Sequence, residues 1–114
     1  MKKIILPFLF LVMALSSCTE EATITIQNNV SNATLEDVSW EDYYISSTLL
    51  PGEKNSRTIS DDKAGFPKKS VVKFYMKRNG NKVYLETKYP FVLDVDDNLL
   101  IIISDTTQVV NRPQ

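Results

Sequence analysis

Alternation of apolar and polar residues runs through most of the chain after residue 21 and predicts a series of β-strands. In residues 22–27 every second side chain is apolar and most are β-branched, the period-2 pattern of a strand with one buried face. Segments 34–40, 43–50 and 54–60 show further strand patterns, the last one polar and typical of a sheet edge. Residues 28–32 predict a polar turn, and Pro51-Gly52 predicts a type II turn. Because no window carries a helical stripe, we expect β-structure throughout.

The clearest local signal is a β-hairpin over residues 71–88. Asn79-Gly80 separates two alternating runs and indicates a type I′ turn. Closing the turn on these two residues places Tyr75 opposite Tyr84 and Lys73 opposite Glu86. Aromatic pairs and opposite charges both stabilise cross-strand neighbours, so independent features agree on one register.

A second hairpin is predicted for residues 91–95 and 99–103, with Asn98 in the left-handed conformation and Val95 opposite Leu99. Segment 61–69 is the longest predicted loop, and Val109-Val110 predicts a short last strand. Together these elements indicate an all-β fold. We expect an antiparallel two-sheet sandwich of about seven short strands, immunoglobulin-like or transthyretin-like, with an eight-stranded barrel as the alternative.

The first residues of the chain have the composition of a secretory signal. Lys2 and Lys3 precede an almost wholly apolar run, residues 4–15, which is shorter than the roughly 20 residues that span a bilayer. Leu15-Ser16-Ser17-Cys18 then resembles the lipobox of bacterial lipoproteins. The resemblance implies cleavage after residue 17, and diacylglyceryl and acyl groups on Cys18.

The lipobox resemblance divides the chain into four parts. Residues 1–17 are the predicted signal peptide, 18–22 the lipidated cysteine and an acidic tether, 23–110 the β-sandwich domain and 111–114 a C-terminal tail. Thr19-Glu20-Glu21 resembles the short acidic signal that sends some Gram-negative lipoproteins to the outer face of the outer membrane. Because Cys18 is the only cysteine, no disulfide can form within the domain.

Composition argues against catalysis, metal binding and nucleic-acid binding. The chain has 13 basic and 14 acidic residues, and removal of Lys2 and Lys3 with the signal leaves 11 against 14, a net charge of −3. There is no histidine, so the commonest general base and metal ligand is absent. Asp94, Asp96 and Asn98 have the spacing that begins a calcium loop, but Leu99 replaces the required glycine. We therefore expect an acidic turn, with no metal and no cofactor.

The candidate binding residues are aromatic and cationic. Trp40 is expected in the core, as early tryptophans of sandwiches usually are. The other aromatics of its segment and of the first hairpin, with the lysines beside them, form the candidate binding surface. These residues are Tyr43, Tyr44, Phe66, Tyr75, Tyr84, Lys73 and Lys77.

Three functions are compatible with the sequence. The preferred hypothesis is a non-enzymatic lipoprotein of the outer membrane, facing the periplasm or exposed on the cell surface, that binds a protein or glycan partner of the cell envelope. One alternative is an inhibitor or immunity-type protein that presents Phe66 and Lys68 on a protruding loop to an enzyme or toxin. The other is a small glycan-binding protein that uses Trp40, Tyr43 or Tyr44.

Overall fold

The computed structural model describes residues 20–61 and 65–111, and it confirms the predicted all-β sandwich. The predicted signal peptide, Cys18, part of the predicted 61–69 loop and the last three residues lie outside the described residues. In the described part the strands are β1 (Glu20–Asn29), β2 (Thr34–Trp40), β3 (Tyr43–Leu49), β4 (Lys54–Asp61), β5 (Lys68–Ser70), β6 (Val72–Arg78), β7 (Asn81–Thr87), β8 (Phe91–Leu93), β9 (Asn98–Ser104) and β10 (Val109–Val110).

Two main sheets form the sandwich. One has five strands in the order β10-β7-β6-β2-β3, and the other has three in the order β4-β1-β9. A small third sheet pairs β5 with β8. All strand pairs are antiparallel except β1 and β9, which run parallel.

The core lies between the three-stranded and the five-stranded sheets. Alternate residues of β1 point inward, as the sequence pattern predicts, and Ile24 and Ile26 are completely buried. Trp40 and Phe74 supply the largest buried side chains from the opposite sheet. Burying each such side chain contributes roughly 1.5–3 kcal/mol, so the fold is stabilised mainly by this layer. The other buried apolar residues are Ala22, Val30, Ala33, Leu35, Val38, Ile45, Leu49, Ile59, Val72, Leu93, Ile101 and Ile103.

The first hairpin has the register that the sequence predicts. Tyr75 lies opposite Tyr84, and Lys73 lies opposite Glu86. Asn79 and Gly80 both have positive φ, 52° and 80°, as a type I′ turn requires. The predicted type II turn is confirmed as well, with Gly52 at a φ of 88°.

The second predicted hairpin is wrong. β8 pairs with β5, and β9 pairs with β1 in the other main sheet. Asp96, rather than Asn98, has the left-handed conformation, and its N–H donates to the carbonyl of Glu21 across 2.7 Å. This turn carries the chain to the first strand, where Ile101 and Ile103 become buried, instead of folding β9 back on β8.

Two boundaries near the ends of β1 also differ from the sequence prediction. The strand begins at Glu20, so its first three residues lie within the segment assigned to the tether. At its other end Asn28 is a fully buried strand residue and not part of a polar turn. In the predicted 61–69 loop, Lys68 and Lys69 belong to β5.

Candidate binding surface

Five of the seven candidate residues lie on one face of the five-stranded sheet, the face turned away from the core. In this sheet Tyr84 of β7 lies opposite Tyr75 of β6, and Lys73 is connected through Ser39 of β2 to Tyr44 of β3. We call this surface the tyrosine face. Its candidate residues are Tyr44, Tyr75, Tyr84, Lys73 and Lys77.

The Tyr75 and Tyr84 rings form the centre of the tyrosine face. Their centroids are 5.3 Å apart with an interplanar angle of 60°, a tilted arrangement that aromatic pairs favour. The Tyr84 hydroxyl donates to the Glu86 carboxylate across 3.0 Å. Both rings are half-buried, so their position is fixed by neighbouring side chains of the same sheet.

Glu36 forms ion pairs with two lysines at one end of the tyrosine face. Its carboxylate is 3.1 Å from the Lys82 ammonium and 4.0 Å from that of Lys77. The hydrogen bond to Glu36 raises the pKa of Lys82 above its usual value. Lys82 Nζ also lies 4.8 Å from the centroid of the Tyr75 ring, a cation–π distance. Sequence reasoning missed Glu36, because only the non-local pairing of β2 with β6 brings it opposite Tyr75.

Tyr44 is the most exposed aromatic ring of the tyrosine face, at 50% of its surface. Its hydroxyl donates to the Asp37 carboxylate across 3.3 Å. Partial loss of hydration and the negative charge of Asp37 raise the pKa of Tyr44. Asp37 has a φ of 50° and lies within the register shift between β2 and β6, so a β-bulge brings its carboxylate beside the ring.

Tyr43 and Phe66 lie apart from the tyrosine face. Both rings are half-buried and pack against the core, and Lys68 Nζ lies 5.9 Å from the centroid of Tyr43 and 5.4 Å from that of Phe66. Arg57 lies 5.4 Å from the Tyr43 centroid, and Lys68 is also 3.9 Å from Glu41. Phe66 is therefore part of a packed aromatic and cationic cluster and not an exposed loop tip.

Trp40 is a core residue, as the sequence predicts. Its side chain has no exposed surface, and its Nε1 donates to the carbonyl of Ser70 across 2.9 Å. The indole therefore offers no ring face to a glycan.

The acidic segment between β8 and β9 forms a hydrogen-bonded turn. The N–H of Asp94 donates to the Asp97 carboxylate across 2.8 Å, and the N–H of Asp97 donates back to the Asp94 carbonyl across 3.1 Å. Within residues 20–61 and 65–111 no three acidic side chains converge as metal ligands would. The same residues contain no helix long and apolar enough to cross a membrane.

Comparison with protein-family models, with curated proteins and with solved structures finds no match to this chain.

Proposed function

We propose that this protein is a lipid-anchored, non-enzymatic binding or assembly module of the bacterial cell envelope, and that it binds its partner through the tyrosine face. The observation that carries the proposal is that Tyr44, Tyr75 and Tyr84 share one sheet face with Lys73 and Lys77. Tyrosines offer large amphipathic contact areas at a low entropic cost, and they are enriched at protein interfaces.

The membrane anchor rests on the lipobox resemblance of Leu15-Ser16-Ser17-Cys18. Only Thr19 separates Cys18 from the first strand, which begins at Glu20. Two extended residues reach at most about 7 Å, so a lipid on Cys18 would hold the sandwich against the bilayer surface. Partners would then be envelope components close to that surface. The resemblance of Thr19-Glu20-Glu21 to an acidic sorting signal favours the outer membrane and its outer face.

The two alternative functions have less support. An inhibitor that probes its target with Phe66 would need an exposed ring, whereas this ring is half-buried beside Lys68. A glycan-binding site built on Trp40 is excluded by the burial of its indole. Tyr44 remains accessible to a glycan, but it lies on the tyrosine face and would serve a protein partner equally well.

Site-specific photocrosslinking in cells tests the proposed surface. A photoreactive residue at position 44 should form one dominant crosslinked product, whereas the same residue at Thr58, on the outer face of the other main sheet, should not. Lys77→Glu should weaken the crosslink, because it reverses a charge on the tyrosine face. Lys54→Glu, an equivalent charge reversal on β4, is the matched control.

Two results would contradict the proposal. One is equal crosslinking from positions 44 and 58, which would remove the preference for the tyrosine face. The other is turnover of a substrate by the purified protein, which would show an enzyme.

A further inference from the structure

The two long sides of the sandwich differ, because one is closed by contacts between the sheets and the other ends in an edge strand. At one side β3 and β4 lie next to each other, and the Arg57 guanidinium on β4 donates to the Tyr44 carbonyl on β3 across 2.9 Å. At the other side β9 is the last strand of the three-stranded sheet. Among the described residues, none but those of β1 forms a backbone hydrogen bond with residues 98–103.

β9 also lacks the features that normally protect an edge strand. Proteins guard such strands with charges, proline, bulges or short length. β4 contains Lys54 and Arg57, and β10 has two residues only. In contrast β9 is seven residues long, is uncharged and has a central run of leucines and isoleucines. Leu100 and Ile102 are 51% and 45% exposed on its outer face.

A groove lies beside β9 on the inner side of the sandwich. The three-stranded sheet faces five strands and its β4 lies beside β3, so β7 and β10 extend beyond β9. Val83 of β7 faces inward with its partner Met76, yet it is 41% exposed because none of the described strands covers it. A hollow of about 340 Å³ runs between Ile103 and the side chains of Met76 and Leu85.

The surroundings of β9 favour a strand from another protein over a second copy of this chain. In antiparallel self-pairing centred on Ile101, Asp97 would lie opposite Asp105 of the second copy, and like charges would face each other. The two-fold axis would also bring both five-stranded sheets to the same side, where their projecting β7 and β10 strands would overlap. Acidic residues at both ends of β9 instead complement a segment that is basic at its ends.

We propose that β9 is a strand-addition site. An extended segment of a partner protein, apolar at alternate positions and basic at both ends, pairs with residues 98–103 and extends the three-stranded sheet. Its backbone forms hydrogen bonds with the N–H and C=O groups on the outer edge of β9. Its inward side chains enter the groove beside Met76, Leu85 and Val83. The site is separate from the tyrosine face and does not depend on lipid at Cys18, so either proposal can fail without the other.

A titration with defined peptides tests the strand-addition site. The probe is the capped peptide Lys-Val-Thr-Val-Thr-Val-Lys, added to the full chain in detergent micelles and followed by amide NMR. We expect shifts and slower amide exchange confined to residues 98–103 and to the groove. N-methylation of every second residue of the peptide, at the N–H groups that point toward β9, should weaken binding on the order of tenfold or more, because it removes backbone hydrogen bonds. N-methylation of the alternate residues, whose N–H groups point away from β9, should leave binding unchanged.

Matched variants locate the binding. Ile102→Lys places a charge on the unprotected edge and should abolish the shifts, whereas Thr58→Lys on β4 of the same sheet should not. A peptide with glutamates in place of the lysines should bind more weakly. The proposal is overturned if no peptide shifts β9 at millimolar concentration, or if both N-methylated forms bind as well as the parent. Self-association of the protein that Ile102→Lys abolishes would assign the edge to a second copy instead.

Discussion

The side-chain amide of Asn28 donates a hydrogen bond to the backbone carbonyl of Leu49 across 2.8 Å inside the core. The same Nδ2 donates to the carbonyl of Ala33 across 2.9 Å, and Oδ1 accepts from the N–H of Val30 across 2.9 Å. One buried side chain thus connects the end of β1 with the turn that follows it and with β3. Because every one of its partners is a backbone group, no other side chain can take its place without leaving buried polar atoms unpaired.

Asn28→Ala should therefore destabilise the protein by about 3 kcal/mol, since it removes three hydrogen bonds to backbone groups in the core. Urea denaturation measures this difference in the free energy of unfolding. Asn29→Ala is the matched control, because Asn29 is exposed, and it should change the unfolding free energy by less than about 0.5 kcal/mol. Equal effects of the two substitutions would contradict the assignment of Asn28 to the core.

Trp40 gives a second test of the core. Trp40→Phe removes the hydrogen bond to Ser70 and leaves a small cavity, and we expect a loss of about 2 kcal/mol in unfolding free energy. Circular dichroism is the suitable probe, because the chain has one tryptophan and the variant loses its fluorescence. Tyr44→Phe, at an exposed ring, is the control and should be nearly neutral. A neutral Trp40→Phe would show that the indole does not pack as described.

Local sequence patterns predicted the first hairpin to the residue. The Asn79-Gly80 turn and the alternation around it depend only on neighbouring positions, and the Tyr75 and Tyr84 pair follows from them. The tyrosine face as a whole could not be predicted from local patterns, because Tyr44 lies on a strand that is separate from the hairpin in the sequence. Only the pairing of β2 with both β3 and β6 brings Tyr44 onto that surface.

The wrong predictions, the second hairpin and the turn at Asn28, also result from contacts between distant parts of the chain. Residues 91–95 and 99–103 have the pattern of a hairpin, but the same pattern suits two strands that pair with distant partners. The choice depends on the parallel pairing of β9 with β1, residues about 75 positions apart, and on the left-handed Asp96. Asparagine is common in turns, and two partners of the Asn28 side chain, Val30 and Ala33, do lie in the adjoining turn. Its burial depends on the third partner, Leu49, which is 21 positions away and is brought close only by the fold.

Asp105 should make the stability of the protein depend on acid pH. Its carboxylate accepts hydrogen bonds from the Ser31 hydroxyl at 2.7 Å and from the Ser31 N–H at 3.0 Å, and these bonds lower its pKa below the usual 3.8. Because the folded pKa is the lower one, this stabilisation is complete above the unfolded value and is lost as the pH falls through the folded value.

Asp105→Asn should accordingly lower the melting temperature by a few degrees at pH 6, and the difference from the unaltered protein should shrink below about pH 3.8. Thermal unfolding between pH 6 and pH 2 checks the trend. Ser31→Ala removes one of the two donors and should remove part of the same pH dependence. A difference that stays constant across this range would show that the Asp105 carboxylate is not stabilised by Ser31.

The proposed lipid at Cys18 is central to the proposed function, because it would set the distance between the sandwich and the membrane and so determine which partners the tyrosine face can meet. Mass spectrometry of the N-terminal peptide of the mature protein, purified from bacterial membranes, tests for this lipid most directly. We expect residues 1–17 to be absent and Cys18 to be the first residue, carrying diacylglyceryl and acyl groups. A mature protein that begins at any other residue, or that retains an unmodified Cys18, would contradict the proposed anchor.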